Sequence, residues 1–273
     1  MKSMKIAITG ARGSVGREVV RACAEAGHST VQVDGSHEDQ DTETPRTEMR
    51  TADTANDYDA LVAAIKDCDA FIHLAAVPDP VDKPDHFVHQ TNVCSAFNGF
   101  RAAAEVGIKR ICYASSVNTI GLVYSNQPLN FPYFPIDEEY TPLPTDAYAL
   151  AKQEAEVAAE SICRWFPGTK IACLRIQQID AKKAVEEDYE GNHEKQVKQL
   201  WGWVSPAAVG RACLLAVENA DRFEGMEVIN IVAPGIVTAG GNRGKTSEEL
   251  AGKYFPQAEQ RGVEGDKGVL DGG

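Results

Sequence analysis

"KIAITGARGSVGREVV", residues 5–20, decides the fold. It opens with a short apolar run, Ile6 to Thr9, that reads as a buried strand ending at Gly10. From Ser14 the period changes. Val15, Val19, Ala22 and Ala26 fall on one face of a helix, and Gly27 closes it. Gly10, Gly13 and Gly16 therefore stand where a strand hands over to a helix. Glycines in that place allow a tight turn and a close backbone approach, and the helix N–H groups and dipole can hold a pyrophosphate. A purely structural turn is the alternative, and the strand–loop–helix context favours the phosphate cradle.

Moving outward, "STVQVD" (29–34) reads as the second strand and delivers Asp34 to its end, eighteen residues past Gly16. A carboxylate there can accept hydrogen bonds from ribose hydroxyls and repels a 2'-phosphate, which favours NAD over NADP. Arg12, inside the glycine loop, is the counter-signal. Asp53, in "TADTAND" (51–57), follows a third strand and either meets an adenine amine or serves as a turn former. "DALVAAIKDC" (59–68) reads as a helix, "DAFIHLAA" (69–76) as a buried strand and "DHFVHQTNVCSAFNGFRAAAEVG" (85–107) as a long helix. "KRICYASS" (109–116) and "KIACLRI" (170–176) are further strands. Repeated β-α units with short links imply a doubly wound parallel sheet with helices on both faces.

Residues 117–146 break the pattern with five prolines and several aromatics, and read as a packed lid. Helix resumes at "DAYALAKQEAEVAAESICRWF" (146–166), with Asp146 as N-cap. Within it "YALAK" places Tyr148 and Lys152 one turn apart on the same face. A tyrosine that must take a proton near neutral pH starts from a reference pKa near ~10, and a lysine one turn away lowers the cost of ionising it. Residues 181–200 are so charged that they read as carrying little core. "SPAAVGRACLLAVENA" (205–220) is a helix with Pro206 in its first turn, "MEVINIVA" (226–233) is a late strand, and the last dozen residues look frayed.

The 273 residues, 43% hydrophobic and 25% charged, suit a globular protein of one large domain, or of one domain and a small lobe. A formal charge of -13, from 40 acidic against 27 basic residues, disfavours nucleic acid and anionic lipid as partners. No apolar stretch reaches the length of a membrane span. The start has no signal-peptide h-region, and seven scattered cysteines without a CxxC pair read as reduced packing residues of a cytoplasmic protein. His73 reads as a satisfied core histidine. His28, His37, His86, His89 and His193 have no metal-ligand spacing, so no metal is expected.

In combination, "TGARGSVG", the Asp34 strand end, "ADTAND", "HLAAV", "TNV", "YASSVNTIG", "YALAK" and "CLRI" come in an order that resembles the extended short-chain dehydrogenase/reductase superfamily, in its NAD-dependent epimerase/dehydratase branch. The resemblance spans roughly residues 4 to 180. It implies a Rossmann-type fold over residues 1–176, NAD as cofactor, and a small substrate-binding lobe over 177–273. It makes Tyr148 the general acid/base, Lys152 its partner, Ser116 rather than Ser115 the orienting hydroxyl, and Asn92 a further catalytic residue. The cofactor would meet Gly10, Arg12, Gly13, Ser14, Val15, Gly16, Asp34, Asp53, Thr54, Leu74, Ala75, Ala76 and Ile176, together with Tyr148 and Lys152.

Only 97 residues follow the last Rossmann strand, which suits a small sugar or sugar acid better than a nucleotide sugar. "YASSVNTIG" and "LWGW" (200–203) look closest to uronate-dehydrogenase-type sugar dehydrogenases. Two departures stand out. Val117 and Asn118 follow the serine where those enzymes have Asn and His. Lys195, Gln196 and Lys198 stand where they have a carboxylate-binding arginine. The expected activity is an NAD-dependent oxidoreductase acting on a sugar hydroxyl. An NAD-dependent epimerase and a non-catalytic dinucleotide sensor are the alternatives. Pairing through the long helix and the Tyr148 helix, common in the family, implies a homodimer, with Phe87, Phe97 and Phe100 packing in the core or at its face.

Overall fold

The computed structural model describes residues 2–35, 44 and 46–261, so the last dozen residues and His37 lie outside it. The first strand, β1 (Lys5–Thr9), leads through the glycine loop into α1 (Ser14–Glu25). Then follow β2 (Ser29–Asp34), β3 (Thr47–Thr51), α2 (Tyr58–Ile65), β4 (Ala70–His73), α3 (Asp85–Glu105) and β5 (Arg110–Ser116). Beyond a 3-10 turn at Val117–Ile120 come the short β6 (Tyr133–Phe134), α4 (Ala147–Trp165) and β7 (Lys170–Ile176). The chain continues through α5 (Lys182–Tyr189), α6 (His193–Lys198), α7 (Pro206–Glu218), β8 (Met226–Ile231), α8 (Ser247–Tyr254) and the short β9 (Glu259–Gln260).

Seven parallel strands form one sheet in the order β3-β2-β1-β4-β5-β7-β8, a Rossmann-type arrangement. Helices cover both faces, which is why β1 reads as an unbroken apolar run. Ile6 and Ile8 pack against Val19, Val20 and Cys23 of α1 and Val209 and Cys213 of α7. Ala7 turns the other way, into the core made with α2, α3 and α4, where Leu61, Phe100 and Ala159 are fully buried. The chain runs outward from β1 to β3, then crosses back to β4 on the other side. At that reversal the carboxyl ends of β1 and β4 diverge and leave a crevice for ligands.

Asp146 caps α4 as its sequence predicts, accepting from the Ala149 N–H at 2.8 Å. The stretch 117–146 is packed, but most of it is a strap rather than a lid. Phe131, Tyr133, Phe134, Ile136 and Tyr140 are buried in a second core with Leu200, Trp201, Leu250 and Phe255. Residues 181–200 correct the expectation of little core. Val185, Tyr189, Gln196, Gln199 and Leu200 are buried, because α5 and α6 are short amphipathic helices with their charges paired outward, as in Lys198–Glu194 and Arg243–Glu186. Among the described residues no helix is long and apolar enough to cross a membrane.

Candidate active site

The glycine loop is tight. Gly10 has φ +64, and a Cβ there would meet the Ala75 nitrogen at 3.0 Å. A Cβ on Gly16 would stand 2.2 Å from the Gly10 carbonyl oxygen and 2.6 Å from Ala11 backbone atoms. Residue 16 must therefore be glycine for α1 to start this close to β1. We expect Gly16→Ala to destabilise the protein by about 1–3 kcal/mol and weaken dinucleotide binding, read from melting curves and an NAD titration. An unchanged melting temperature would count against the loop being this close-packed.

A dinucleotide fits what the loop offers. The N-cap of α1 is Gly13, without a side-chain cap, and no acidic residue stands in the first turn. By contrast α2, α4, α6, α7 and α8 are capped by Asp57, Asp146, Asn192, Ser205 and Thr246. Helices α3 and α5 also lack a side-chain cap, but neither follows a glycine loop at the end of β1. The first N–H groups of α1, at Ser14 and Val15, thus keep their donors and the positive end of the helix for an anion.

Asp34 stands at the end of β2 beside this loop. Its Oδ1 accepts from the Gly35 N–H at 2.8 Å, and its Oδ2 lies 3.5 Å from Arg12 Nε. Arg12 and Asp34, opposed in the sequence reading, are thus a pair. Both Asp53 oxygens are engaged in their own turn, by Ala55 N, Asn56 N and Asn56 Nδ2, which holds the carboxyl below its usual range. Thr54 is buried, its hydroxyl 2.7 Å from Ser95 Oγ. Leu74 and Ala76 line the cavity together with Val15 and Ile176, while Ala75 backs onto Gly10. His73 is the satisfied core histidine expected, 2.6 Å from Thr9 Oγ1, and burial pushes its pKa down to about 3.

Ser116, Tyr148 and Lys152 converge on one wall of a cavity of about 490 Å³ at the carboxyl ends of β5 and β7. The Ser116 hydroxyl stands close enough to the Tyr148 phenol to favour its ionised form, and it accepts from Asn118 N and Nδ2, each at 3.2 Å. Ser115 is committed elsewhere, donating to Glu156 Oε1 at 2.6 Å. Burial drives the Tyr148 phenol well above its ordinary value, with the neighbouring Ser116 hydroxyl opposing it, and drives Lys152 down to about 8. The Lys152 ammonium donates to the Ala114 carbonyl at 2.6 Å and lies 5.5 Å from the Tyr148 ring centroid. Beneath it Glu156, one turn along α4, forms a buried ion pair with Arg175 of β7 at 2.8 Å.

Asn92 is not brought to the cavity. It is buried under the loop after β4, accepting from Val77 N at 2.7 Å and donating to Val77 O at 3.0 Å. The cavity is also lined by Tyr124, Gln177, Gln178 and Gln199, which the sequence does not point to, and by Asn118 and Lys195, which it marks only as departures from the uronate-dehydrogenase pattern. One signal was available for two of them. Gln177 and Gln178 directly follow the largely buried strand β7, at the carboxyl edge where such sheets bind ligands.

A family model described as the NAD dependent epimerase/dehydratase family matches residues 6–231. The L-arabinose 1-dehydrogenase (NAD(P)(+)) of Haloferax volcanii is 28% identical over 225 residues, 78% of this chain and 82% of that enzyme. The uronate dehydrogenase of Pseudomonas syringae pv. tomato is 27% identical over 160 residues, 56% of this chain and 51% of that enzyme. Among solved structures, the UDP-Glc/GlcNAc 4-epimerase of Campylobacter jejuni shares the fold, with a TM-score of 0.71 at 15% identity, covering 99% of this chain and 91% of that one.

Proposed function

This chain belongs to the NAD dependent epimerase/dehydratase family, and from that membership we propose an NAD-dependent oxidoreductase that oxidises a hydroxyl of a small sugar. The observation that carries the reading is the meeting of Ser116, Tyr148 and Lys152 beside the uncapped glycine loop. The sensor alternative falls away, because the relatives are dehydrogenases and epimerases and the chain keeps its tyrosine–lysine pair.

In this reading residues 1–176 hold the dinucleotide and 177–273 supply much of the sugar side. Bound NAD supplies the hydride acceptor and a positive ring. The chain's own residues do the rest. Ser116 holds the reacting hydroxyl, Tyr148 takes its proton through the phenol oxygen, and Lys152 stabilises the phenolate. Asn92 is a positioning residue that fixes the loop carrying Leu74 to Val77. Asp34 binds the adenosine ribose, with Asp53 and Thr54 shaping the adenine end. The exposed Phe97 of α3 and Leu150 and Val157 of α4 support a homodimer through these two helices. All seven cysteines are free thiols, in keeping with a cytoplasmic setting.

Incubation with NAD and free sugars, followed by absorbance of the reduced nicotinamide, tests the reaction. Net NADH supports the dehydrogenase, whereas product without net NADH points to the epimerase that some relatives represent. The same assay with NADP is expected to be weaker, because Asp34 faces the extra phosphate. An NADP preference would mean that Arg12 turns from Asp34 to that phosphate.

A further inference from the structure

We propose that the substrate side of the cavity selects an uncharged aldopyranose over the matching uronate, with Gln199 binding its hydroxyls and the Lys195–Asp188 pair turning a carboxylate away. The inference deepens the sugar-oxidoreductase reading and rests on it.

Charge comes first. Among the described residues that line the cavity, Lys152 and Lys195 are the charged ones. Lys152 is committed to Tyr148 and to the Ala114 carbonyl. Lys195 Nζ lies 2.6 Å from Asp188 Oδ2, and Gln178 Nε2 donates to that same oxygen at 3.1 Å. Burial pushes the Asp188 carboxyl up, and the bonds from Lys195 and Gln178 more than reverse this, so it stays ionised. The cation on the sugar wall is thereby cancelled by its own neighbour. The rest of the segment offers no substitute. Lys198 donates to Ser125 O at 3.2 Å and pairs with Glu194, and Gln196 is spent on Tyr189 O and Ala239 N. A substrate carboxylate would lose its water without gaining an unopposed cation, and a compact ammonium does not reproduce a guanidinium fork.

Gln199 supplies the positive half of the argument. It is 6% exposed, lines the cavity, and its buried amide oxygen has no hydrogen-bond partner. The backbone goes out of its way to put it there. Leu200 and Trp201 both take left-handed conformations, φ 50 and 58, which side chains of their size seldom adopt. The turn is clamped by Gln177 Nε2 donating to Gln199 O at 3.1 Å and by Trp201 N donating to Gln196 O at 3.1 Å. Strain kept in the residues that follow a cavity-lining side chain is consistent with that side chain serving a ligand. An orphaned acceptor calls for a donor, which a ring hydroxyl of the sugar provides, so Gln199 contributes binding while the selection against a carboxylate rests on the Lys195–Asp188 pair.

L-Arabinose, D-galactose and D-galacturonate share a pyranose configuration and differ at C5, carrying hydrogen, hydroxymethyl or carboxylate; D-glucose and D-glucuronate add a second matched pair. Initial rates of NADH formation at saturating NAD give kcat/KM for each. The better neutral sugar should exceed its uronate by about tenfold or more. Asp188→Asn should raise the uronate-to-neutral ratio by about tenfold, and Lys195→Met should lower it. Gln199→Leu should raise KM for the neutral sugar by about tenfold while kcat changes less. A parent enzyme that prefers the uronate, or a ratio indifferent to both Asp188→Asn and Lys195→Met, overturns the inference and leaves the oxidoreductase reading standing. NADH from none of the five sugars, with NAD binding intact, overturns the reading itself.

Discussion

Tyr148→Phe is expected to fold and bind NAD like the parent while turning over its sugar at least ~10²-fold more slowly. The substitution removes one oxygen from a ring that is 9% exposed and packs edge-on against Tyr124 at 5.9 Å. The lost hydroxyl only neighbours that of Ser116, so the structural cost is small and the chemical cost is the whole proton transfer. Burial raises the phenol, so parent turnover should climb with pH as the tyrosine ionises, and the variant should lack that limb. Near-parental turnover by a folded variant would remove Tyr148 from the mechanism.

Lys152→Met should do the reverse to stability while also abolishing most activity. The fully buried ammonium is depressed from 10.5 to about 8 by desolvation, which is an energetic burden on the folded protein. Each unit is worth ~1.4 kcal/mol, so the burden amounts to roughly 3 kcal/mol at neutral pH. Below about pH 8 both folded and unfolded chains hold the proton, and the penalty is complete. Between that pH and 10.5 the unfolded chain holds more protons, so parent stability rises with pH. Methionine removes the burden but leaves the Ala114 carbonyl without the ammonium, a cost of ~1–3 kcal/mol. The variant should therefore match the parent or gain up to about 2 kcal/mol on it at pH 7, and lose ground relative to the parent toward pH 10. Denaturant melts at the two pH values decide it. A difference independent of pH would mean that the lysine carries no such burden.

How much the sequence disclosed follows from how local each signal is. The glycine loop, Asp34 at a strand end, and Tyr148 with Lys152 one turn apart are contiguous patterns, and each lands where its pattern predicts. Ser116 was separable from Ser115 only by resemblance, and the physical reason appears in three dimensions, where Glu156 takes the Ser115 hydroxyl. The sugar wall is only partly legible: Asn118 and Lys195 stand out as departures from the uronate-dehydrogenase pattern, and nothing local joins them to Gln178 and Gln199. Asn118, Gln178, Lys195 and Gln199 come from separate segments, and Gln199 arrives through two left-handed residues that leave no mark in the letters. The charged stretch 181–200 misled because composition averages over faces, whereas Val185 and Tyr189 are fully buried on one of them. Asn92 matches the family's pattern, but both ends of its amide are held by Val77 and it does not line the cavity.

The Glu156–Arg175 pair ties the history of one position to the other. Removing either partner strands a charge inside the protein at a cost of about 3–5 kcal/mol, enough to exhaust most of a domain's margin. Replacing both with apolar residues of like size is often close to neutral. The two sites are nineteen residues apart, on a helix and on a strand, yet a lineage cannot cross from the ionic to the apolar state one substitution at a time without passing through a crippled intermediate. Their drift is therefore frozen or joint. Descendants of this chain should carry the glutamate with the arginine or neither, a contingency that comparison of many sequences can count.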